Sequence, residues 1–279
     1  MPYAAEISRT NPSCFLFLLD QSGSMSDTFS GGSKKKADGV ADAINKLLQT
    51  LVLRCSKSEG VRDYYHVGVI GYGKKVGPAL GGNLAGFGLV PIKVIADNPL
   101  RIEQRTRHSD DGAGGILTQT VKFPVWFEPV AHGQTPMCEA FDQAWHLVSA
   151  FIVQFPGCYP PMIVNITDGE ASDGDPTPRA GMVRDLASTD GNVLLFNVHI
   201  SASASQPILY PDREASLPDE FARFLFRISS PLPPAMLQAA RRDGQAVSDA
   251  SRGFVFNADL VSLIKFLDIG TRVSDKNLR

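Results

Sequence analysis

Cys14 to Ser24 reads CFLFLLDQSGS: a run of apolar residues, one aspartate, then small polar residues. An uninterrupted apolar run fits a strand buried on both faces, as in a parallel sheet. Asp20 stands where that strand runs out, and Gln21 to Gly32 is rich in Ser and Gly and reads as loop. In open α/β sheets, ligands bind at the carboxyl ends of the strands. Alternate residues of an extended turn project the same way, so the oxygens of Asp20, Ser22 and Ser24 can aim at one point. Carboxylate and hydroxyl oxygens are hard ligands that suit Mg²⁺ or Mn²⁺, with Ca²⁺ also compatible, and not zinc. A D-x-S-x-S string arises by chance roughly once in several thousand positions. Its place directly after a buried strand gives it weight.

Outward from this stretch, helix and strand signals alternate. Val40, Ile44, Leu47, Leu48 and Leu51 fall at helical spacing between Lys36 and about Arg54. His66 to Tyr72 (HVGVIGY) reads as a strand. Gly73 to Val130 is glycine-rich and irregular, and is expected to be an insertion with hairpins; Val121 to Phe127 is expected as an edge strand because it contains Pro124. Thr135-Pro136 opens a helix to about Phe155, with Met137, Ala140, Phe141, Ala144, Val148 and Phe151 on its buried face. Met162 to Thr167 (MIVNIT) is a strand followed by Asp168-Gly169. Thr177 to Ser188 reads as a helix, and Val193 to Ile200 as a buried strand. Residues 201–234 form a long connection with a short helix near Asp219 to Phe226. A helix near Ala235 to Arg242, a strand at Gly253 to Phe256 and a helix from Ala258 to about Ile269 complete the pattern. The expected fold class is α/β: a doubly wound, mostly parallel sheet with helices on both faces, in a single domain over 1–279.

Two more loops fall at the same sheet edge. Thr135 precedes a helix, and Asp168 follows a strand. The bland readings are that Thr135 caps the helix, with Pro136 in the first turn, and that Asp168-Gly169 is a simple turn. Taken together with Asp20, Ser22 and Ser24, the two complete an oxygen set from three loops.

In this order the pieces resemble the metal-ion-dependent adhesion site of von Willebrand factor A domains. Asp20, Ser22 and Ser24 match its D-x-S-x-S string, Thr135 its threonine and Asp168 its second aspartate. GQTPMCEA (Gly133 to Ala140), ITDGE (Ile166 to Glu170) and Phe256 to Arg272 look like the bacterial tellurite-resistance-type subgroup. The resemblance implies one divalent ion, with Ser22, Ser24 and Thr135 ligating through hydroxyls and Asp20 and Asp168 ligating directly or through water. It implies a protein partner that donates an Asp or Glu to the ion, and a shift of the last helix on binding. Gln21, Met25, Gln134 and Glu170 border the site and are expected to contact that partner. The subgroup implies a cytoplasmic adaptor or scaffold in a bacterial stress, signalling or defence system, beside a protein kinase and a PP2C-type phosphatase.

Composition narrows the classes. The chain has 279 residues, 43% of them apolar, and a formal charge of -2. That is enough to build a sizeable core and lacks the basic balance of a nucleic-acid binder. No apolar stretch approaches the roughly 20 residues needed to cross a bilayer, and the N-terminal stretch has no secretory pattern. Cys14, Cys55, Cys138 and Cys158 are scattered and read as reduced, buried thiols. Lys34, Lys35 and Lys36 read as a solvated helix start or a lure for an acidic partner, and Asp173 and Asp175 as a solvated acidic loop. Two other functions remain open. One is a metal-dependent hydrolase, with Glu170 as the nearby general base; the other is a structural domain with no metal function. Against a dehalogenase-type phosphatase, Ser22 stands where the second aspartate belongs. Neither GxSxG nor GxxxxGK[ST] is present.

Overall fold

The computed structural model describes residues 2–29, 32–110, 116–200, 206–258, 262–263 and 265–266. Its frame begins with β1 (Ser13–Asp20), buried along its whole length as the apolar run requires, and α1 (Lys36–Cys55). A small hairpin of β2 (Ser56–Lys57) and β3 (Gly60–Val61) leads to β4 (Tyr65–Tyr72). Then come β5 (Val76–Pro78), β6 (Val90–Pro91), α2 (Ile92–Asp97) and a long hairpin of β7 (Arg101–Asp110) and β8 (Ile116–Val125). Helix α3 (Met137–Gln154), β9 (Met162–Thr167) and α4 (Thr177–Asp185) follow. A second small hairpin, β10 (Ala187–Ser188) and β11 (Gly191–Asn192), precedes β12 (Leu194–Ile200), β13 (Ile208–Leu209), α5 (Glu220–Ile228), α6 (Pro234–Arg242) and β14 (Phe254–Ala258).

The main sheet runs β13-β14-β12-β9-β1-β4-β5, with β6 also on β4. Its inner strands β14, β12, β9, β1 and β4 are parallel, while β13, β5 and β6 pair antiparallel at the margins. The chain leaves β1 on one side for β4 and returns on the other side as β9. The order therefore reverses between β1 and β9, and a crevice opens at their carboxyl ends.

Side chains alternate across the sheet. Phe15, Phe17 and Leu19 pack with Val40, Ile44, Leu48 and Leu51 of α1 and with Met236 and Leu237 of α6. Leu16 and Leu18 pack on the other face with Phe141, Ala144 and Val148 of α3, Ala180 and Val183 of α4, and Leu225 of α5. Each of the larger apolar side chains among these contributes about 1.5–3 kcal/mol by leaving water. The doubly wound α/β class is therefore realised, with helices on both faces. Among the described residues no helix is long and apolar enough to cross a membrane. All four cysteines are buried, and none forms a disulfide.

The differences from the sequence reading are local. The insertion is more ordered than its glycines suggest. It contains the two-residue strand β6 and helix α2, and Val121 to Val125 lies in the β7–β8 hairpin, apart from the main sheet. That hairpin is tied to α1: Asn45 accepts from the Trp126 and Phe127 amides and donates to the Phe127 carbonyl. Asp42 of α1 accepts from Arg105 at 2.8 Å. Helix α4 stops at Asp185, and Ala187–Ser188 turns into the β10–β11 hairpin. The short helix in the long connection begins where Asp219 caps it, accepting from the Ala222 amide at 2.7 Å. Most of the expected last helix, and residues 201–205, lie outside the described residues. Those described, 262–263 and 265–266, are helical.

Candidate metal centre

The register of β1, β4 and β9 sets Asp20 beside Tyr72, and Leu19 beside Ile166. This brings the D-x-S-x-S loop and Asp168 together at the edge where the strand order reverses. Asp20 is 2% exposed. One of its oxygens, Oδ1, accepts the Ser22 amide at 2.8 Å, and Oδ2 accepts the Thr167 hydroxyl at 2.7 Å. Burial, the largest influence, raises the Asp20 pKa above its usual value; the hydrogen bonds oppose the shift, and nearby Asp168 adds to it. Ser22 Oγ and Ser24 Oγ share a hydrogen bond of 3.0 Å. Ser24 Oγ then donates to Asp168 Oδ1 at 2.7 Å. The result is a continuous path of oxygens from Ser22 through Ser24 to Asp168.

The third loop is stitched to the first. Gly23 N donates to Gly133 O at 3.1 Å, and His132 N donates to Gln21 O at 2.6 Å. Gly133 has φ 105°, and a Cβ there would stand 2.3 Å from Lys74 N, so both conformation and space demand glycine. The next segment carries Thr135 inward. A Cβ on Gly169 would stand 3.8 Å from Thr135 Oγ1, which fixes that hydroxyl beside the end of β9. Thr135 is not the cap of α3: the Cys138 and Glu139 amides donate to the Asp173 carboxylate at 3.1 and 3.0 Å. Asp173 is thus a helix-capping group and not part of a freely solvated acidic loop, and Asp175 is engaged by Thr177.

Asp20, Ser22, Ser24, Thr135 and Asp168 are accordingly gathered at one edge. Two carboxylates and three hydroxyls form a hard oxygen set that fits a Mg²⁺-type ion in kind. Among the described residues there is no group of three or more His, Cys, Asp and Glu that could hold a metal. The candidate set depends on hydroxyls for the rest of its ligands.

The reading of the lysine run is overturned at Lys36. Lys36 is not a solvated helix start: its side chain is 6% exposed, and Nζ donates to Asp168 Oδ2 at 2.8 Å, with the Asp168 side chain 0% exposed. Lys34 turns away to Asp42. The run of three lysines hides this difference, and only its place at the start of α1, behind the serine loop, could have signalled it. Thr167 and His199 were also missed. Thr167 holds Asp20. His199, on β12, stacks on Phe256 with centroids 5.0 Å apart. Burial lowers its pKa to about 4, against the opposing influence of Asp219 and Asp168.

The four residues expected to meet a partner diverge. Met25 is 1% exposed and packs in the core with the α1 face, so it offers no surface to a partner in this conformation. Its Ser- and Gly-rich neighbours concealed that. Gln21 lies over Gly71, where a Cβ would meet its Oε1 at 2.2 Å, and borders a groove with Pro78 and Phe127. Gln134 and Glu170 are exposed. Glu170 borders a cavity of about 250 Å³ with Asp175, Glu220, Phe221 and Phe224.

Beneath the site, the sheet carries a buried polar chain. Tyr72 Oη donates to Asn165 Oδ1 at 2.6 Å, Asn165 Nδ2 to Asn197 Oδ1 at 3.0 Å, and Asn197 Nδ2 to Ser229 Oγ at 2.9 Å. Satisfied networks of this kind fix strand register and hold the strand ends firmly.

Neither a protein-family model nor a curated protein matches the sequence. Solved structures do resemble the fold. The pilus adhesin SpaC of Lactobacillus rhamnosus GG matches with a TM-score of 0.50 at 12% identity, over 98% of this chain and 32% of that one. A von Willebrand factor type A structure from Catenulispora acidiphila gives 0.46 at 13% identity, over 98% and 47%. The PilB minor pilin of Streptococcus sanguinis gives 0.46 at 10% identity, over 96% and 62%. The chain spans less than two thirds of each of these proteins. At such identity the SpaC likeness speaks to the fold alone.

Proposed function

We propose that this chain is a von Willebrand factor A-type recognition domain. Asp20, Ser22, Ser24, Thr135 and Asp168 would hold one Mg²⁺, Mn²⁺ or Ca²⁺ ion, and an acidic side chain of a partner protein would complete the site. The single observation that carries this reading is the oxygen path from Ser22 through Ser24 to Asp168, flanked by Asp20 and Thr135 at the reversal point of the sheet. A bound ion would supply an electrophile for a carboxylate. The chain's own part is to hold the oxygens. Thr167 and the Ser22 amide orient Asp20, the Gly23–Gly133 bond sets the Thr135 loop, and Lys36 and Ser24 orient Asp168. We assign no enzymatic role; Glu170, the base a hydrolase would need, is exposed and borders a cavity with Asp175 and Glu220. A role as adaptor or scaffold in a cytoplasmic bacterial stress, signalling or defence system, with a kinase and a PP2C-type phosphatase among its partners, rests on sequence resemblance alone.

The test is calorimetric titration of Mg²⁺ and Mn²⁺ into ion-free protein, with Asp20→Ala and Thr135→Ala alongside. Wild-type binding that both substitutions weaken is the expected result. Binding that survives both would place the ion elsewhere and remove the assignment.

A further inference from the structure

We propose that Lys36 is a fixed counter-charge for Asp168, one that weakens divalent-ion binding at this site and keeps the ion-free site folded; the inference rests on the metal-binding reading above. The two oxygens of Asp168 are divided. Oδ1 faces the serine loop and accepts from Ser24, while Oδ2 accepts from Lys36 Nζ. The ammonium therefore neutralises Asp168 through Oδ2, and Oδ1 stays on the side of Ser24.

Lys36 is held there by the fold. Its amide donates to Asp27 O at 2.8 Å, and it opens a 20-residue helix anchored in the core through Val40, Ile44 and Leu48. A second carboxylate, Asp27 Oδ2, lies 3.9 Å from Nζ but is largely exposed, so Asp168 is the principal partner. A buried ammonium without a partner is strongly unfavourable, as is a buried carboxylate; paired, each offsets the other's loss of water.

The consequence for an ion follows from charge. Asp20, Asp168 and Lys36 carry -1, -1 and +1, a sum of -1. Without the lysine the sum is -2. A dication entering the present site is attracted less strongly, and it leaves a net +1 where the lysine-free site would be neutral. Lys36 thus trades ion affinity for residual positive charge, which favours an incoming carboxylate.

The test uses the full chain and Mn²⁺ alone, by calorimetry and by thermal melting of the ion-free protein, for wild type, Lys36→Met and Lys36→Arg. Lys36→Met is expected to bind Mn²⁺ about tenfold tighter or more, and Lys36→Arg to stay within about threefold of wild type, because charge at this range decides the attraction. Ion-free Lys36→Met is expected to melt below wild type, with saturating Mn²⁺ narrowing the gap. Should Lys36→Met fail to fold, Lys36→Gln takes its place with the same expectation. A folded neutral variant that binds Mn²⁺ no tighter than wild type would overturn the counter-charge role and leave the metal site standing. Absence of Mn²⁺ binding by every form, wild type included, would remove the metal reading and this inference with it.

Discussion

At the end of β1, Asp20 is held by an amide and a hydroxyl, both neutral, and burial raises its pKa. At the end of β9, Asp168 is held by a hydroxyl and an ammonium. The two carboxylates sit at the same sheet edge, and both are withdrawn from water. The difference is that one has a permanent counter-charge and the other has only oriented dipoles. A buried carboxylate held by neutral donors alone is a costly arrangement for a merely structural residue. It is the arrangement expected where the opposing charge arrives from outside, which agrees with the ion proposed beside Asp20.

The comparison can be broken or sharpened by substitution. The largest effect is expected from Asp168→Ala, which strands Lys36 in the interior. Urea unfolding of the ion-free protein should show a loss of about 3–5 kcal/mol. A loss below about 1 kcal/mol, within the range of an exposed pair, would mean that the ion pair is solvent-screened and that the contrast with Asp20 is false.

Next comes His199 at the end of β12. Its pKa in the fold, about 4, lies below the ordinary 6.5, so the unfolded chain takes up the proton first as the pH drops. The stability tied to the neutral ring is complete above pH 6.5 and is lost progressively as the pH falls towards 4, in all about 3 kcal/mol. Unfolding of His199→Gln beside wild type at pH 7.5 and 4.5 checks this. The gap in stability between the two should shrink at the lower pH.

A smaller effect is expected from Thr167→Val. Removing a hydroxyl that donates to a buried carboxylate should cost about 1.5–3 kcal/mol at neutral pH. The loss should diminish at acid pH, where Asp20 takes up a proton. A loss that does not change with pH would point to packing and not to the Asp20 bond.

The smallest effect is expected from Asp20→Asn in ion-free protein. Thr167 Oγ1 lies 3.1 Å from Gly169 O, so it can donate there and accept from the new amide. Stability should change by less than about 1 kcal/mol, or rise, because an uncompensated buried charge is removed. A large loss would show that Asp20 is a structural residue in its own right.

The same comparison shows what the sequence made legible. The inner strands were readable because parallel strands are buried on both faces and so stay apolar throughout, as CFLFLL and MIVNIT do. The buried faces of α1 and α3 were readable from helical spacing. Asp20, Ser22 and Ser24 were readable because they share one loop. The environment of Asp168 was not, because its counter-charge comes from Lys36, 132 residues earlier, out of a run that looks solvated. Thr167 reads only as the last residue of an apolar strand. The β7–β8 hairpin was obscured for the same reason: it is positioned by Asn45 and Asp42 of α1, contacts that span 63 to 82 residues and leave no local pattern. Thr135 took a plausible capping role in the sequence because the true cap, Asp173, lies 35 residues beyond the Cys138 amide that it caps.

The most direct test of the central claim, that an ion sits between the ends of β1 and β9, is paramagnetic broadening of backbone amide signals by substoichiometric Mn²⁺. The account predicts that Gly23, Thr135 and Gly169 broaden first and together, while amides of the β7–β8 hairpin and of α6 stay sharp. Broadening centred on another acidic surface, such as Asp212 and Asp249, with the amides at the ends of β1 and β9 unaffected, would contradict it.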